Sequence, residues 1–321
     1  MNTNELSLKQ KVVFYIMFPL WYVLSRLPLR LLYVLSSGLY LLVYHVVRYR
    51  RKLVRRNLRD SFPDKTEREL CNIEKAYYQH FCDIFIESLK YFSISEDELR
   101  KRMRFIGADK IKESFRNGRS CGVFLGHYAN WEWISSLPLW IERELGVCTQ
   151  LYHPLENKVF DMLVGYTRER LGGKNIPVNE SLRHLIKYKK EGTPFVLGFI
   201  ADQVPFWNNI HYWTNFLNHA DTPVFTGPER LMRKLDMVVY YMDVRKVGRG
   251  YYEAEFKFIT DTPKAYKEYE LTEIYTQMLE KTIAEAPAYW LWTHNRWKRT
   301  KDEWDKMYDN ETGKVFMNKV D

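Results

Sequence analysis

The chain alternates short apolar runs with longer segments in which apolar residues recur every three or four positions. Apolar runs of about four to eight residues are typical of buried strands, and the longer pattern is typical of helices. Strands are predicted at 122–125, 147–152, 195–200, 237–244 and 251–259. Helices are predicted at 66–91, 98–117, 131–145, within 152–173, at 181–190 and at 271–286. This alternation predicts an α/β fold.

The N-terminal segment combines the longest apolar runs with most of the basic excess. Residues 12–25 and 31–47 contain no charged residue if His45 is neutral. Residues 1–60 carry 11 Lys and Arg against two acids, so they account for the whole net charge of +9. Since a spanning helix needs about 20 apolar residues, one span, an interfacial helix pair and a buried hairpin all stay open. The basic cluster at 48–59 favours a membrane and a cytoplasmic position.

These features divide the chain into a predicted membrane-associating segment at 1–60 and a predicted catalytic domain at 61–321. The second part is neutral overall, which argues against a nucleic-acid binder, whose folded domain would be basic. Aromatic residues make up 16% of the chain, and Tyr and Trp favour membrane interfaces. Four cysteines without paired spacing, and scattered histidines, predict reduced thiols and no metal. No glycine-rich nucleotide motif is present, and no cofactor is expected.

Candidate chemistry begins at His127, which follows the strand at 122–125 and Gly126. Glu132 comes five residues later, at the start of a predicted helix. If the loop folds back, Glu132 can hold one ring nitrogen while the other accepts a proton. This is a catalytic triad without its nucleophile, so the substrate would supply an alcohol. The alternative is a chance pair, since His and Glu occur at this spacing in many proteins.

A second polar pair, Asp202 and Gln203, follows the strand at 195–200. Ligands bind at the carboxyl ends of strands in open α/β sheets, so Asp202 and His127 are expected at the same edge. A turn cap is the alternative for Asp202. Residues 207–216 form an aromatic loop, a candidate lid or membrane-facing lip. The block at 288–298, with its aromatic residues and basic neighbours, is interpreted as a structural anchor.

Several of these segments resemble one family. GHYANWEW at 126–133 resembles the HxxxxD/E signature of glycerolipid-type acyltransferases, in the form found in the late acyltransferases of lipid A biosynthesis. Asp202 and Gln203 resemble the DQ motif of that family, and the block at 288–298 resembles its W-x-H-x-R-W/F-K ending. The spacing of Asn157, Asp161, Arg168 and Arg170 resembles the second conserved block of that family. Val204 and Pro205 replace a glycine-containing continuation that close relatives often have, which leaves the acceptor open.

The resemblance implies a mixed central sheet flanked by helices, preceded by the anchoring segment. It implies an enzyme at the cytoplasmic face of the bacterial inner membrane. The acyl chain would pass from acyl carrier protein, or alternatively coenzyme A, to a hydroxyl of a phosphorylated lipid A precursor. His127 would be the general base and Glu132 would orient its ring.

The resemblance also implies a set of substrate-binding residues, namely Arg168, Arg170, Asp202 and Gln203. The two arginines would approach substrate phosphate, which guanidinium groups bind through paired hydrogen bonds. Two alternatives remain for the function. One is a different lipid acceptor, such as a lysophospholipid, an aminolipid or a glycosylated phosphoinositide, and the other is a catalytically silent membrane-anchored scaffold.

Overall fold

A computed structural model describes residues 6–152, 154, 156–309 and 311–316. The helices are α1 Leu8–Arg26, α2 Leu29–Tyr40, α3 Arg51–Ser61, α4 Glu67–Lys90, α5 Glu96–Arg102, α6 Ala108–Arg116, α7 Lys158–Glu169, α8 Ser181–Lys190, α9 Gly227–Leu235, α10 Glu270–Glu285 and α11 Lys301–Met307. The strands are β1 Met103–Ile106, β2 Cys121–Leu125, β3 Val147–Tyr152, β4 Lys174–Pro177, β5 Phe195–Ile200, β6 Trp213–Phe216, β7 His219–Pro223, β8 Val238–Gly248, β9 Tyr251–Thr260, β10 Tyr308–Asp309 and β11 Lys314–Val315.

Seven strands form the central sheet, in the order β1-β9-β8-β2-β5-β3-β4. All neighbours are parallel except β8 and β9, which are antiparallel, so the sheet is mixed. The expected α/β fold with a mixed central sheet flanked by helices is confirmed. Strand β9 alternates buried and exposed residues, a pattern typical of an edge strand, although it lies between β1 and β8. Its alternation arises because Tyr252, Ala254 and Phe256 are buried on one face only.

The position of the site follows from the pairing of β2 with β5 in the middle of the sheet. These strands are parallel, and their register runs from Cys121 opposite Val196 to Leu125 opposite Ile200. Every residue of β2 is buried, as expected for a central strand covered on both faces. The residues that follow Leu125 and Ile200 therefore leave the sheet side by side.

Two predicted helices are wrong. The segment 98–117 contains a strand, β1, between α5 and α6, because Met103 and Phe105 are buried and pair with β9, and Gly107 turns the chain at φ 79°. The segment 131–145 forms only a 3₁₀ helix at Trp133–Leu139, with Pro138 inside it. Proline has no N–H to continue an α-helical hydrogen-bond ladder.

The N-terminal helices pack on the rest of the chain. Helix α2 continues through a π-helical stretch, Leu41–Val47, and within the described residues Leu29–Val47 is long and apolar enough to cross a membrane. Its inner face is tied to α4, where Ser36 donates to Asp83 at 2.7 Å. Helix α3 adds Val54 and Leu58 to the main hydrophobic core. The division at residue 60 stays a prediction, and the two parts are in close contact.

Candidate active site

His127 and Asp202 lie side by side at the carboxyl ends of β2 and β5. His127 Nδ1 is 2.6 Å from Asp202 Oδ1, and the His127 backbone N–H donates to Asp202 Oδ2 at 2.8 Å. The parallel register causes this placement, because each residue stands two positions beyond the end of its strand. The side chain of Asp202 is 2% exposed and that of His127 is 20% exposed. The acid is therefore shielded, while the imidazole reaches the surface.

The charge state of Asp202 determines which ring nitrogen of His127 carries the proton. Burial by itself raises the pKa of Asp202, but the His127 imidazole and the N–H groups of His127 and Trp290 outweigh it and lower this pKa to about 2. Asp202 is thus ionised at neutral pH and can only accept hydrogen bonds. In the neutral imidazole, Nδ1 then carries the proton and Nε2 has the free lone pair.

Asp202 has a third donor, the indole Nε1 of Trp290, at 2.7 Å from Oδ2. Trp290 is buried and forms a β-bridge with Tyr128, so the loop after β2 and the C-terminal block are joined at the site. The sequence identified 288–298 as an aromatic anchor and missed this contact with the acid. No local pattern reveals it, since the two residues are 88 positions apart in the chain.

The loop that carries His127 is crowded and strained. A Cβ at Gly126 would lie 2.8 Å from the Leu279 side chain, which would have to shift, and 3.3 Å from Asp202 Oδ2, a tight contact. Ala129 has a positive φ of 51°, a conformation unusual for a residue with a Cβ. Its N–H donates to Tyr289 O at 2.9 Å. The fixed path of this loop therefore depends on contacts with other segments.

Glu132 faces Arg168 and not His127. The Arg168 guanidinium donates to Glu132 through Nε at 3.1 Å and Nη2 at 2.8 Å, a two-point ion pair. The expectation that Glu132 holds the imidazole is corrected in this respect, since Asp202 occupies the Nδ1 side of the ring. The physical reason is the short 3₁₀ helix, which starts after Glu132 and directs its carboxylate to α7.

Gln203 stands at the other ring nitrogen of His127. Its Nε2 is 3.3 Å from His127 Nε2, where an amide N–H can donate to the free lone pair. His294 lies next to this pair, and its Nε2 accepts from the Val204 backbone N–H at 3.3 Å. Burial lowers the pKa of His294 to about 4, so this imidazole is neutral at physiological pH. His127 and His294 thus contact adjacent residues, Gln203 and Val204, in the segment that follows β5.

Arg170 is engaged elsewhere. Its Nη2 donates to Ile94 O at 2.6 Å, and the guanidinium lies 5.2 Å from the Tyr91 ring centroid. Burial lowers its pKa. Of the two arginines expected at the phosphate, the structure thus brings only Arg168 into contact with the loop that carries His127. Within the described part of the chain, no group of three or more His, Cys, Asp or Glu is arranged to hold a metal ion.

Comparison with known proteins agrees with the family resemblance of the sequence. The family described as "Bacterial lipid A biosynthesis acyltransferase" matches residues 2–299. The chain is also similar to the "Lipid A biosynthesis acyltransferase" of Haemophilus influenzae, with 21% identity over 290 residues. That alignment covers 89% of this chain and 87% of the relative.

Proposed function

The chain belongs to the bacterial lipid A biosynthesis acyltransferase family, and from this premise we propose its reaction. A fatty acyl chain passes from the thioester of acyl carrier protein to a hydroxyl of a phosphorylated lipid A precursor. The observation that carries this proposal is the short bond between His127 and the buried Asp202. It leaves Nε2 as the basic atom at the exposed side of the ring. Coenzyme A is the alternative donor.

His127 acts first as a general base. Its Nε2 takes the proton of the acceptor hydroxyl while the oxygen attacks the thioester carbonyl and forms the new C–O bond. Asp202 accepts from Nδ1 and stabilises the imidazolium. When the tetrahedral intermediate collapses, the C–S bond breaks and the imidazolium returns the proton to the thiolate. Gln203 must move from Nε2 when the acceptor hydroxyl arrives.

Glu132 and Arg168 form the proposed phosphate site. Because Glu132 takes up Nε and Nη2, the Nη1 group of Arg168 is the part that can turn to a substrate phosphate. The Arg168 side chain is 23% exposed and that of Glu132 is 20% exposed, so an anion can reach them from solvent. Glu132 thereby fixes the direction of the guanidinium. In this proposal Glu132 takes part in substrate binding, beside the base, and Asp202 orients the ring.

The N-terminal helices are proposed to form the membrane-binding surface of the protein, at the cytoplasmic face of the inner membrane. The outer face of Leu29–Val47 exposes Leu31, Val34, Leu35, Leu41, Leu42, Val46 and Val47. Its inner face is tied by Ser36 to the buried Asp83 of α4, a contact that favours a helix lying along the protein surface. A helix with one apolar face in lipid and one on protein fits an interfacial position better than a free span. Exposed Arg30 and Arg48 stand at its ends, where anionic lipid attracts them.

A substrate assay tests the chemistry. Purified His127→Ala protein should not transfer the acyl chain, because Nε2 is lost, and it should still fold, because Asp202 keeps its bonds to the backbone N–H of residue 127 and to Trp290. Activity within tenfold of wild type would contradict the proposed base.

Lipid mass spectrometry after deletion of the gene tests the acceptor. Lipid A that lacks one acyl chain supports the proposal. Unchanged lipid A with another lipid altered would indicate a different acceptor, and an unchanged lipid profile would indicate the scaffold. The buried Asp202 and its ring contact are features for which a scaffold has no physical use.

A further inference from the structure

A buried carboxylate on α4 has no part in the mechanism described above. Glu87 is 0% exposed. Its Oε1 accepts from the Tyr33 hydroxyl at 2.8 Å, and its Oε2 accepts from the Tyr252 hydroxyl at 2.7 Å and from Asn130 Nδ2 at 2.6 Å. All three donors are neutral groups. A buried acid satisfied only by neutral donors is costly to retain, and an apolar residue would pack there without that cost.

Two of the contacts of Glu87 go to the active-site loop. Besides the bond to Asn130, the backbone carbonyl of Glu87 accepts from the Trp133 indole Nε1 at 3.1 Å. Asn130 Oδ1 in turn accepts from the Trp133 backbone N–H at 3.0 Å. His80, two turns earlier on α4, has its Nε2 3.3 Å from Ala129 O. Helix α4 thus holds the loop on both sides of Glu132.

The geometry points to Glu87 as a positioning residue for the acyl transfer. It acts through Asn130 and fixes the path of the loop between His127 and Glu132. The strained backbone of Ala129 explains why such a restraint is needed, since a conformation of this kind persists only when surrounding contacts impose it. Asp202 sets the direction of the His127 ring, and Glu87 sets the position of the residues that follow it. This inference rests on the proposed function.

An exchange of the two groups tests the inference. In Asn130→Asp, a carboxyl group replaces the amide that donates to Glu87, so two acids face each other and the hydrogen bond is lost. The loop should shift, and kcat should fall about 10- to 100-fold, as expected for a small misplacement of reacting groups. Glu87→Gln should cost only about two- to fivefold, because the amide oxygen can still accept from Asn130. The double variant Glu87→Gln/Asn130→Asp restores the bond with the donor and acceptor exchanged. Its kcat should return to within about fivefold of wild type, and any rise in the acceptor KM that Asn130→Asp causes by displacing Glu132 should reverse with it.

Tyr33→Phe is the matched control. It removes a donor from the other oxygen of Glu87, so it weakens the buried cluster without touching Asn130, and its kcat should stay within twofold of wild type. A double variant no more active than Asn130→Asp, or a Tyr33→Phe loss as large as that of Asn130→Asp, overturns the inference. If Asn130→Asp does not fold, the double variant decides alone: a loss greater than tenfold overturns the inference.

Hydrogen exchange of residues 126–133 gives a readout that needs no substrate. Exchange should rise in Asn130→Asp and return to the wild-type rate in the double variant. Equal exchange in all variants would overturn the inference. A wild-type protein that transfers no acyl chain would instead overturn the proposed function, while the exchange measurement would still decide on Glu87.

Discussion

Asp202→Asn is the sharpest perturbation of the proposed mechanism, because it changes one atom and removes one charge. The carboxylate accepts from two fixed donors at Oδ2, the His127 backbone N–H and the Trp290 indole, and from the ring at Oδ1. An asparagine has a single acceptor oxygen. If that oxygen faced the ring, two buried donors would lose their partner, at about 1–3 kcal/mol each.

The amide oxygen of the variant should therefore take the position of Oδ2, and its NH₂ group should face Nδ1 of His127. The ring must then carry its proton on Nε2, so the basic atom no longer faces the acceptor. A wrong tautomer of this kind, with the geometry intact, lowers kcat on the order of 10³–10⁴-fold. This corresponds to about 4–6 kcal/mol of transition-state stabilisation.

The assay is acyl transfer from labelled acyl carrier protein to the lipid A precursor, with kcat and KM measured separately. Glu132→Gln is the matched control, since it removes the same charge from the same neighbourhood but contacts Arg168 in place of the ring. It should raise KM for the acceptor and change kcat by less than about tenfold. A kcat for Asp202→Asn within tenfold of wild type, or a larger kcat loss in Glu132→Gln, would refute the reasoning.

Three further predictions concern phosphate, acid stability and the membrane. Arg168→Lys should weaken binding of a phosphorylated acceptor more than that of its dephosphorylated form, because an ammonium cannot bond Glu132 and phosphate in the same geometry; equal losses would make Arg168 structural. Since the pKa of Asp202 falls from 3.8 to about 2 on folding, its stabilisation is present above pH 4 and is lost as pH falls through 2. The stability advantage of wild type over Asp202→Asn should thus shrink by about 2 kcal/mol across that range in denaturant titrations, and a constant difference would contradict this. Replacing Arg30, Arg48 and Lys52 with Gln should weaken interfacial attachment about 100-fold, seen as release by salt washing, whereas retention until detergent would indicate a span.

The choice of basic residues in the last prediction comes from the structure. Within the cluster at 48–59, Arg51 and Arg55 both bond the buried Glu74. Replacing them would leave an unpaired buried acid and destabilise the fold, so a loss of membrane binding could not be interpreted. Arg48 and Lys52 are exposed, and Arg48 Nε donates to the nearby His45 carbonyl at 3.3 Å, so replacing them leaves no buried acid unpaired.

The sequence was most informative for side chains that directly follow a strand, because the end of the strand determines their position. Short apolar runs predicted β2 and β5, and the rule for strand ends placed His127 and Asp202 at one edge. The partner of Glu132 was not predictable, because its direction depends on a 3₁₀ helix that Pro138 keeps short. The Trp290 contact and the Glu87 cluster join segments far apart in the chain. Such contacts come from tertiary packing, and periodicity carries no signal for them.

His127 and Asp202 follow two interior strands of the sheet, and this position affects the order in which the protein loses its activity and its fold on heating. The pair is held by the ladder between β2 and β5, and interior ladders belong to the cooperative unit that opens last. Helix α1 contributes Phe14 to a small cluster separate from the main core, so it can fray without disturbing that ladder. Heat should therefore weaken the proposed membrane attachment before it destroys the pair. Activity lost by mild warming should return when membranes are restored, until the temperature at which the sheet itself melts.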